Sequence, residues 1–492
     1  MAESKTMMTL PFGPLAPLAL AAALLMSGCS LIPTYERPAA PVPTTFPGDP
    51  AQPGGAKAAV DVPWQAFFSD PRLAGLIQTA LDNNRDLRVA VLNIEQARAQ
   101  FDVQRAALFP TVGLTTSGSR SEPNSARAYS SSAPKVSSSY SLGLGVTAWE
   151  IDFFGRIQSL SAAAQARALA TEESRRATQI SLVAQVANGW LTLAADEELL
   201  AITRQTLATR EETLKLTRLR FDNGVASELD YQSAVSLAES ARATYAQQIR
   251  LRRQDENALA LLLGAPVPAS ALEGLAGDNG GLASVRAMPD VPAGLPSDLL
   301  TERPDIRAAE QQLIAANANI GAARAAFFPR IALTTSIGTV SSDFSNLWNG
   351  DGTRAWSFAP SLTLPIFTAG ANSANLASAR VSRDIAVAQY EKTIQTAFRE
   401  VADALAGRET LGEQARAARA QADAEGTRLR LSDLRYRNGV ASALDLLDAQ
   451  RSQFTARQTA VQTQLTLLQN QVTLYKTLGG GWTSSTQQAG AQ

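Results

Sequence analysis

The hydrophobic pattern of this chain runs at two periods. Val186, Leu193, Leu200, Leu207, Leu214 and Phe221 recur every seven residues, which is one apolar position of a coiled-coil seam. No proline interrupts residues 157–221, so a single helix there would be roughly 95 Å long at ~1.5 Å per residue. A second long helix, about 377–437, carries Ile394, Phe398, Val401 and Leu405 at four-three-four spacing. Elsewhere the period drops to two. Tyr140, Leu142, Leu144, Val146 and Ala148 alternate with Ser139, Ser141, Gly143, Gly145 and Thr147. Trp356, Phe358, Leu362, Leu364 and Ile366 alternate with Ser357, Ala359, Ser361 and Thr363, and Ile331, Leu333 and Ile337 lead a similar run. One face is apolar and the other small or polar, with Ser- and Gly-rich loops at the hairpin tips. Such alternation belongs to transmembrane barrels and also to half-buried soluble sheets.

An internal repeat sets the architecture. Leu81 to Arg88 aligns with Leu300 to Arg307, and the match runs without a gap to Arg105-Ala-Ala-Leu-Phe-Pro110 against Arg324-Ala-Ala-Phe-Phe-Pro329. Later, Leu219-Arg-Phe-Asp-Asn-Gly-Val-Ala-Ser227 returns as Leu434-Arg-Tyr-Arg-Asn-Gly-Val-Ala-Ser442. A period this long excludes a solenoid of ~20–50-residue units. The chain is a tandem duplication of a helix-strand-strand-long helix-turn-helix unit, mainly α with a smaller β part. The first repeat covers 64–264, with strands at about 111–122 and 138–152 and long helices at about 157–221 and 227–263. A linker follows at 265–299. The second repeat covers 300–478, with strands at about 330–341 and 354–367 and helices at about 377–437 and 442–477. A flexible tail, 479–492, closes the chain.

The N-terminus carries an address. Leu15 to Met26 is a short apolar run followed by Ser27-Gly28-Cys29-Ser30. It is too short to span a bilayer, which takes ~20 residues, but it fits a signal peptide over 1–28. Small residues before a cysteine resemble a bacterial lipobox, so Cys29 is expected to carry a lipid and to be the mature N-terminus. The proline-rich stretch 29–63 cannot form a helix and is expected to run extended, as a tether.

Composition then removes whole classes of function. Histidine is absent and Cys29 is the single cysteine, which excludes histidine-based catalysis, histidine-bound metal and an intrachain disulfide. With no Gly-rich phosphate loop either, an enzyme is not expected, and no cofactor or metal beyond the covalent lipid. The 44 Lys+Arg and 45 Asp+Glu nearly cancel, so no basic field is present to hold nucleic acid. Four strands cannot close a barrel, since the smallest bacterial ones need about eight. If the hairpins lie in a membrane, several chains must share one barrel, and three copies would supply twelve strands.

The runs Trp149-Glu-Ile-Asp-Phe-Phe-Gly-Arg156 and Glu302-Arg-Pro-Asp-Ile-Arg307, with the paired Asn-Gly-Val-Ala-Ser turns, resemble the TolC-like outer-membrane efflux family. The lipobox and Pro33-x-Tyr35-x-x-Pro38 are similar to its NodT-type lipoprotein branch. This resemblance implies a homotrimer with a shared twelve-stranded outer-membrane β-barrel on a long periplasmic α-barrel. It also implies a periplasmic adaptor protein and an inner-membrane pump of the resistance–nodulation–division type as partners. The expected activity is passive conduction of drugs or other small solutes. Metal ions or exported proteins as cargo, or a non-conducting lipid-anchored coiled coil, are the alternatives.

Candidate site residues lie at the two helix turns. Gly224, Val225, Ala226 and Ser227, with Gly439, Val440, Ala441 and Ser442, are small enough for another backbone to approach, and the resemblance implies adaptor docking there. Ser227 with Asp230 and Ser442 with Asp445 fit capping boxes. Asp448 and Arg451 align with Ser233 and Ser236, so these charges occur in one repeat only. They can form a surface i,i+3 pair. The resemblance favours Asp445, Asp448 and Arg451 as the periplasmic gate.

Overall fold

The computed structural model describes residues 30–47, 59–122, 136–276, 280–292, 299–348 and 353–482. Cys29, the signal segment and residues 483–492 lie outside the described residues. Numbering the elements longer than two turns, the order is α1 (Pro71–Asn83), α2 (Arg85–Ala106), β1 (Val112–Ser121), β2 (Ser137–Ile151), α3 (Arg156–Asp222) and α4 (Glu228–Leu263). The second repeat adds α5 (Pro304–Ala325), β3 (Arg330–Ser341), β4 (Thr353–Thr363), α6 (Ala371–Arg437) and α7 (Ala443–Thr477). The chain divides into two compact units. Among the described residues no helix is long and apolar enough to cross a membrane.

The first unit comprises residues 1–38, 95–169 and 310–388 and holds the strands. They form one antiparallel sheet in the order β1-β2-β3-β4. Leu114 stands opposite Leu144, Leu144 opposite Ile337, and Ile337 opposite Trp356. These four are 71%, 51%, 69% and 78% exposed, so no layer among the described residues covers the apolar face. On the other face Ser117 and Ser141 join hydroxyls at 2.7 Å, as do Ser336 and Ser357. Gly143 and Gly338 face each other across β2 and β3. A Cβ on Gly338 would lie 2.2 Å from the Leu142 carbonyl oxygen, so a side chain there would force the strands apart.

Two strand details depart from simple alternation. Between Val146 and Trp149 the register slips, and Ala148 takes a φ of +51° while its N–H donates to Thr334 Oγ1 at 3.1 Å. This bulge inserts one residue and inverts the alternation beyond it. Ala148 therefore leaves the apolar row, and Trp149 and Ile151 continue it opposite Leu333 and Ile331. In the second hairpin β4 ends at Thr363, so Leu364 and Ile366, expected within the strand, lie past it. Pro365 has no N–H to extend the ladder. Helix α6 starts earlier than expected, at Ala371, where the Asn372 side chain donates to the Ala326 carbonyl at 2.9 Å.

The segment expected to run extended as a tether is bound to the helices where it is first described. Ile32 packs on Ala163, Ala166, Ala315 and Ala318. Asn317 Nδ2 donates to the Pro33 carbonyl at 2.7 Å and Arg324 Nη1 to the Leu31 carbonyl at 3.1 Å. Glu310 accepts from Arg37 at 2.7 and 2.9 Å and from the Tyr35 hydroxyl at 2.9 Å. An extended backbone exposes its carbonyls, and these helices supply the matching donors.

The conspicuous run at 149–156 also has a local explanation. Glu150 accepts two bonds from Arg156, both at 2.7 Å, and two from Arg330 at 3.0 and 2.6 Å. Asp152 accepts from the Arg156 and Gln158 N–H groups at 2.7 and 2.8 Å, satisfying donors that the start of α3 would otherwise leave orphaned.

The second unit comprises residues 39–94, 170–309 and 389–492. Its seams are only partly deep. Val186, Leu193, Ile394, Val401 and Leu405 are buried, whereas Leu200, Leu207, Leu214 and Phe221 are half-buried. Phe398 is half-buried and stacks on Phe46 at 5.1 Å. Duplication left an equivalent joint built from different residues. Asn84 Nδ2 donates to the Leu262 carbonyl at 2.9 Å, while buried Arg303 donates to the Thr477 carbonyl at 2.9 Å. Arg303 also binds Asp305 at 2.6 Å and Glu400 at 3.0 Å, as a buried charge requires. A plug of Phe67, Phe68 and Tyr475 is tied off by the Tyr475 hydroxyl donating to the Val62 carbonyl at 2.6 Å.

Between α3 and α4, Asp196 is 6% exposed. Gln248 Nε2 donates to its Oδ1 at 2.9 Å, and Oδ2 has no donor. Burial first, and then Asp255, push its carboxyl up to about 7. A native carboxyl that holds its proton more tightly than the unfolded chain favours folding most below the unfolded value of 3.8, and this contribution fades as pH rises through about 7. Amide exchange around Asp196, corrected for intrinsic rate, is therefore expected to be slower at pH ~5 than at pH ~8. Asp196→Asn should remove that difference; an unchanged pH response in the variant would refute the assignment.

Candidate functional site

The two turns are built alike. At the end of α3 the Val225 N–H donates to the Arg220 carbonyl at 2.8 Å and Gly224 N–H to Phe221 at 2.9 Å. At the end of α6 Val440 bonds Arg435 at 2.9 Å and Gly439 bonds Tyr436 at 3.0 Å. This is the Schellman pattern, and it needs the left-handed residue supplied by Gly224 at φ +71° and Gly439 at φ +75°. The next helix is then capped. Asp230 N–H and Asp445 N–H donate to Ser227 Oγ and Ser442 Oγ at 3.1 and 3.2 Å. The two carboxylates accept in return from the Ser227 and Ser442 N–H groups at 3.3 and 3.1 Å. Asp445 is thus a capping residue, and the bonds from Ser442 hold its carboxyl below the usual range.

Beyond the caps the repeats diverge. Asp448 accepts from Arg451 at 2.6 Å and from Arg428 of α6 at 2.6 Å. Arg428 also holds Glu425 at 3.1 Å. Charge-assisted bonds from Arg428 first, and from Arg451 second, lower the Asp448 carboxyl. Asp448, Arg451, Leu444 and Leu447 line a cleft of about 420 Å³ with Ser233, Ser236 and Leu237 of α4. The aligned residues of the two repeats therefore line one cleft together. Arg220 lies over the Tyr436 ring, 4.6 Å from its centroid. Val225, Leu229, Val440 and Leu444 are 76%, 77%, 67% and 70% exposed, so both turns present an apolar surface; Ala226 and Ala441 are half-buried.

The model of the family described as outer membrane efflux protein matches residues 76–265 and 295–480. The chain belongs to that family. It is 48% identical over 473 residues to the probable efflux pump outer membrane protein TtgC of Pseudomonas putida, covering 96% of both chains. It is 46% identical to the outer membrane protein OprJ of Pseudomonas aeruginosa, covering 94% of this chain and 95% of that one. Among solved structures, the open state of the Neisseria gonorrhoeae MtrE outer membrane channel matches at a TM-score of 0.82 and 44% identity, over 93% of this chain and 100% of the other. A Pseudomonas aeruginosa membrane protein matches at 0.84 and 45%, over 92% and 98%. This efflux protein is accordingly a protein of the outer membrane. The family matches fall on both repeats, and the uncovered apolar face of its sheet is the surface that such a location requires.

Sequence reasoning brought Asp448 and Arg451 together and missed Arg428. Its signal was present: Arg428 aligns with Thr213, so all three positions of this network are charged in the second repeat alone. What one helix could not disclose was the partner across the hairpin.

Proposed function

We propose that three copies of this chain assemble a twelve-stranded barrel and form the exit duct of a tripartite efflux pump. The observation that carries the assembly is a four-stranded sheet in which, among the described residues, β1 and β4 are each paired on one side only. Unpaired backbone in lipid costs several kcal/mol per group, so the edges must meet other chains. Relatives are named as toluene and antibiotic efflux pump outer membrane proteins, which supports small toxic solutes as cargo. The inner-membrane pump selects them, and the duct conducts passively. Purified protein in planar bilayers should give discrete cation or anion currents in steps of one trimer. Trimers that insert and never conduct would overturn the reading.

The turns Gly224–Ser227 and Gly439–Ser442 take the periplasmic adaptor, supported by small residues and by exposed Val225, Leu229, Val440 and Leu444. Asp448 and Arg451, with Arg428, restrain the periplasmic end, while Asp445 maintains the turn geometry beneath them. Cys29 carries the lipid as the mature N-terminus. Mass spectrometry of the membrane form should find an acylated Cys29 with no residue before it. A free thiol, or cleavage elsewhere, would refute this.

A further inference from the structure

The duplication offers a control within one molecule for every charge on the long helices. Helices α3 and α6 have matching ends, as do the starts of α4 and α7, so residues pair without gaps. In the first repeat Arg242 is held by Glu211 at 2.8 Å and Glu239 at 2.6 Å. Its equivalent in the second repeat is Arg457. The equivalents of Glu211 and Glu239 are Gly426 and Phe454. Phe454 has gone to another use, lying 5.2 Å under the Arg210 guanidinium. Gly426 leaves space: a Cβ built there meets nothing within 4 Å.

Arg457 consequently keeps one neutral partner, Gln205 Oε1 at 2.7 Å, and among the described residues no carboxylate lies within ion-pair distance of it. Burial depresses its pKa, with Glu198 opposing that shift from a distance. It lines a cavity of about 770 Å³ together with Arg419, Arg430 and Gly426. Neither Arg419 nor Arg430 has an ion-pair partner among the described residues, although neighbouring Arg416, Arg428 and Arg437 are all paired. Two carboxylates also line the cavity. Glu198 is raised by burial and is engaged by the Leu282 N–H at 3.1 Å, and Asp423 is exposed. Three guanidinium groups against two acids leave a cationic excess in a space of ligand size.

We propose that this cavity binds a small oxyanion, the carboxylate or phosphate group of a soluble molecule, at the place that Glu211 fills in the first repeat. Arg457 is its principal ligand, and Arg419 and Arg430 supply further donors. Guanidinium forks suit both groups because they donate two parallel bonds. A helix-interior glycine costs stability relative to other residues, and an open space beside an arginine without an ion-pair partner among the described residues gives it a role.

Titration calorimetry on the full chain, with inorganic phosphate and separately with citrate against chloride at matched ionic strength, tests this. Saturable binding of either probe at one site per chain is expected, and the better probe identifies the phosphate or carboxylate class. Arg457→Gln should weaken it by at least about tenfold, the loss of one charge-assisted partner. Gly426→Glu restores the carboxylate of the first repeat, so it should abolish binding and raise the midpoint of thermal unfolding in anion-free buffer. No saturable binding of either probe, or unchanged binding in Gly426→Glu, overturns the proposal. Trimers that dissociate on Arg457→Gln, with no anion bound by the wild type, would assign the space to a carboxylate of a neighbouring chain and equally overturn it.

Discussion

Arginine at Leu144 or Ile337 is expected to destabilise the inserted assembly by about 2–4 kcal/mol per chain, the cost of a cationic side chain near the bilayer midplane. Both residues belong to the row Leu114–Leu144–Ile337–Trp356, which crosses all four strands on one exposed face. In a trimer the penalty recurs in every chain. A substitution that a soluble surface would absorb within about 0.5 kcal/mol should then prevent stable trimers. Ser141→Arg provides the matched control, since Ser141 bonds Ser117 on the opposite face. The readout is the trimer fraction surviving extraction and a urea titration. Equal loss for Leu144→Arg and Ser141→Arg would mean that the two faces do not meet lipid and lumen.

Removing the charges at Asp448 and Arg451 together is expected to raise single-channel conductance severalfold and to admit larger antibiotics. These side chains, with Arg428, tie α7 to α6 beside the second turn. Close to an axis, such ties recur threefold and are only partly screened, because the Debye length at 0.15 M salt is ~8 Å. Asp448→Ala with Arg451→Ala tests this against Ser233→Ala with Ser236→Ala, which alters the same cleft without removing charge. The acid response has a defined sign. Arg428 and Arg451 depress the Asp448 carboxyl, so the restraint is fully present above the ordinary value of 3.8 and is lost as pH falls through the lower native value. Wild-type conductance should thus stay flat from neutrality to pH ~5 and rise only in stronger acid, with a smaller rise in the double variant. Equal conductance in variant and wild type, with trimers intact, would leave these residues as surface charges.

Much of the candidate site was legible in the chain because it is local. A capping box is a four-residue pattern, and Ser442 with Asp445 forms one as Ser227 with Asp230 does. The left-handed turn residue announces itself as glycine. The charged pair Asp448–Arg451 was legible because the second repeat could be held against the first, so shared turn geometry separated from added charge. Arg428 was not legible, because its bond to Asp448 depends on how two antiparallel helices rotate about their axes. The bulge at Ala148 was hidden for a similar reason: nothing in an alternating run shows that its partner strand lacks a residue.

By itself the sequence determined the duplication, the long helices, the period-two strands and the family, since each depends on spacing along a backbone of fixed rise. It also limited the chemistry, for a chain without histidine and with one cysteine has few catalytic groups. Tertiary structure alone decided which polar residues meet. It fastened the extended Leu31–Arg37 segment to side chains of α5, and it set buried Asp196 against Asp255. It also left Arg457 facing the space beside Gly426. Hydrogen bonds and ion pairs act over a few ångströms, so residues distant in sequence interact only where packing has fixed the register and rotation of the helices that carry them.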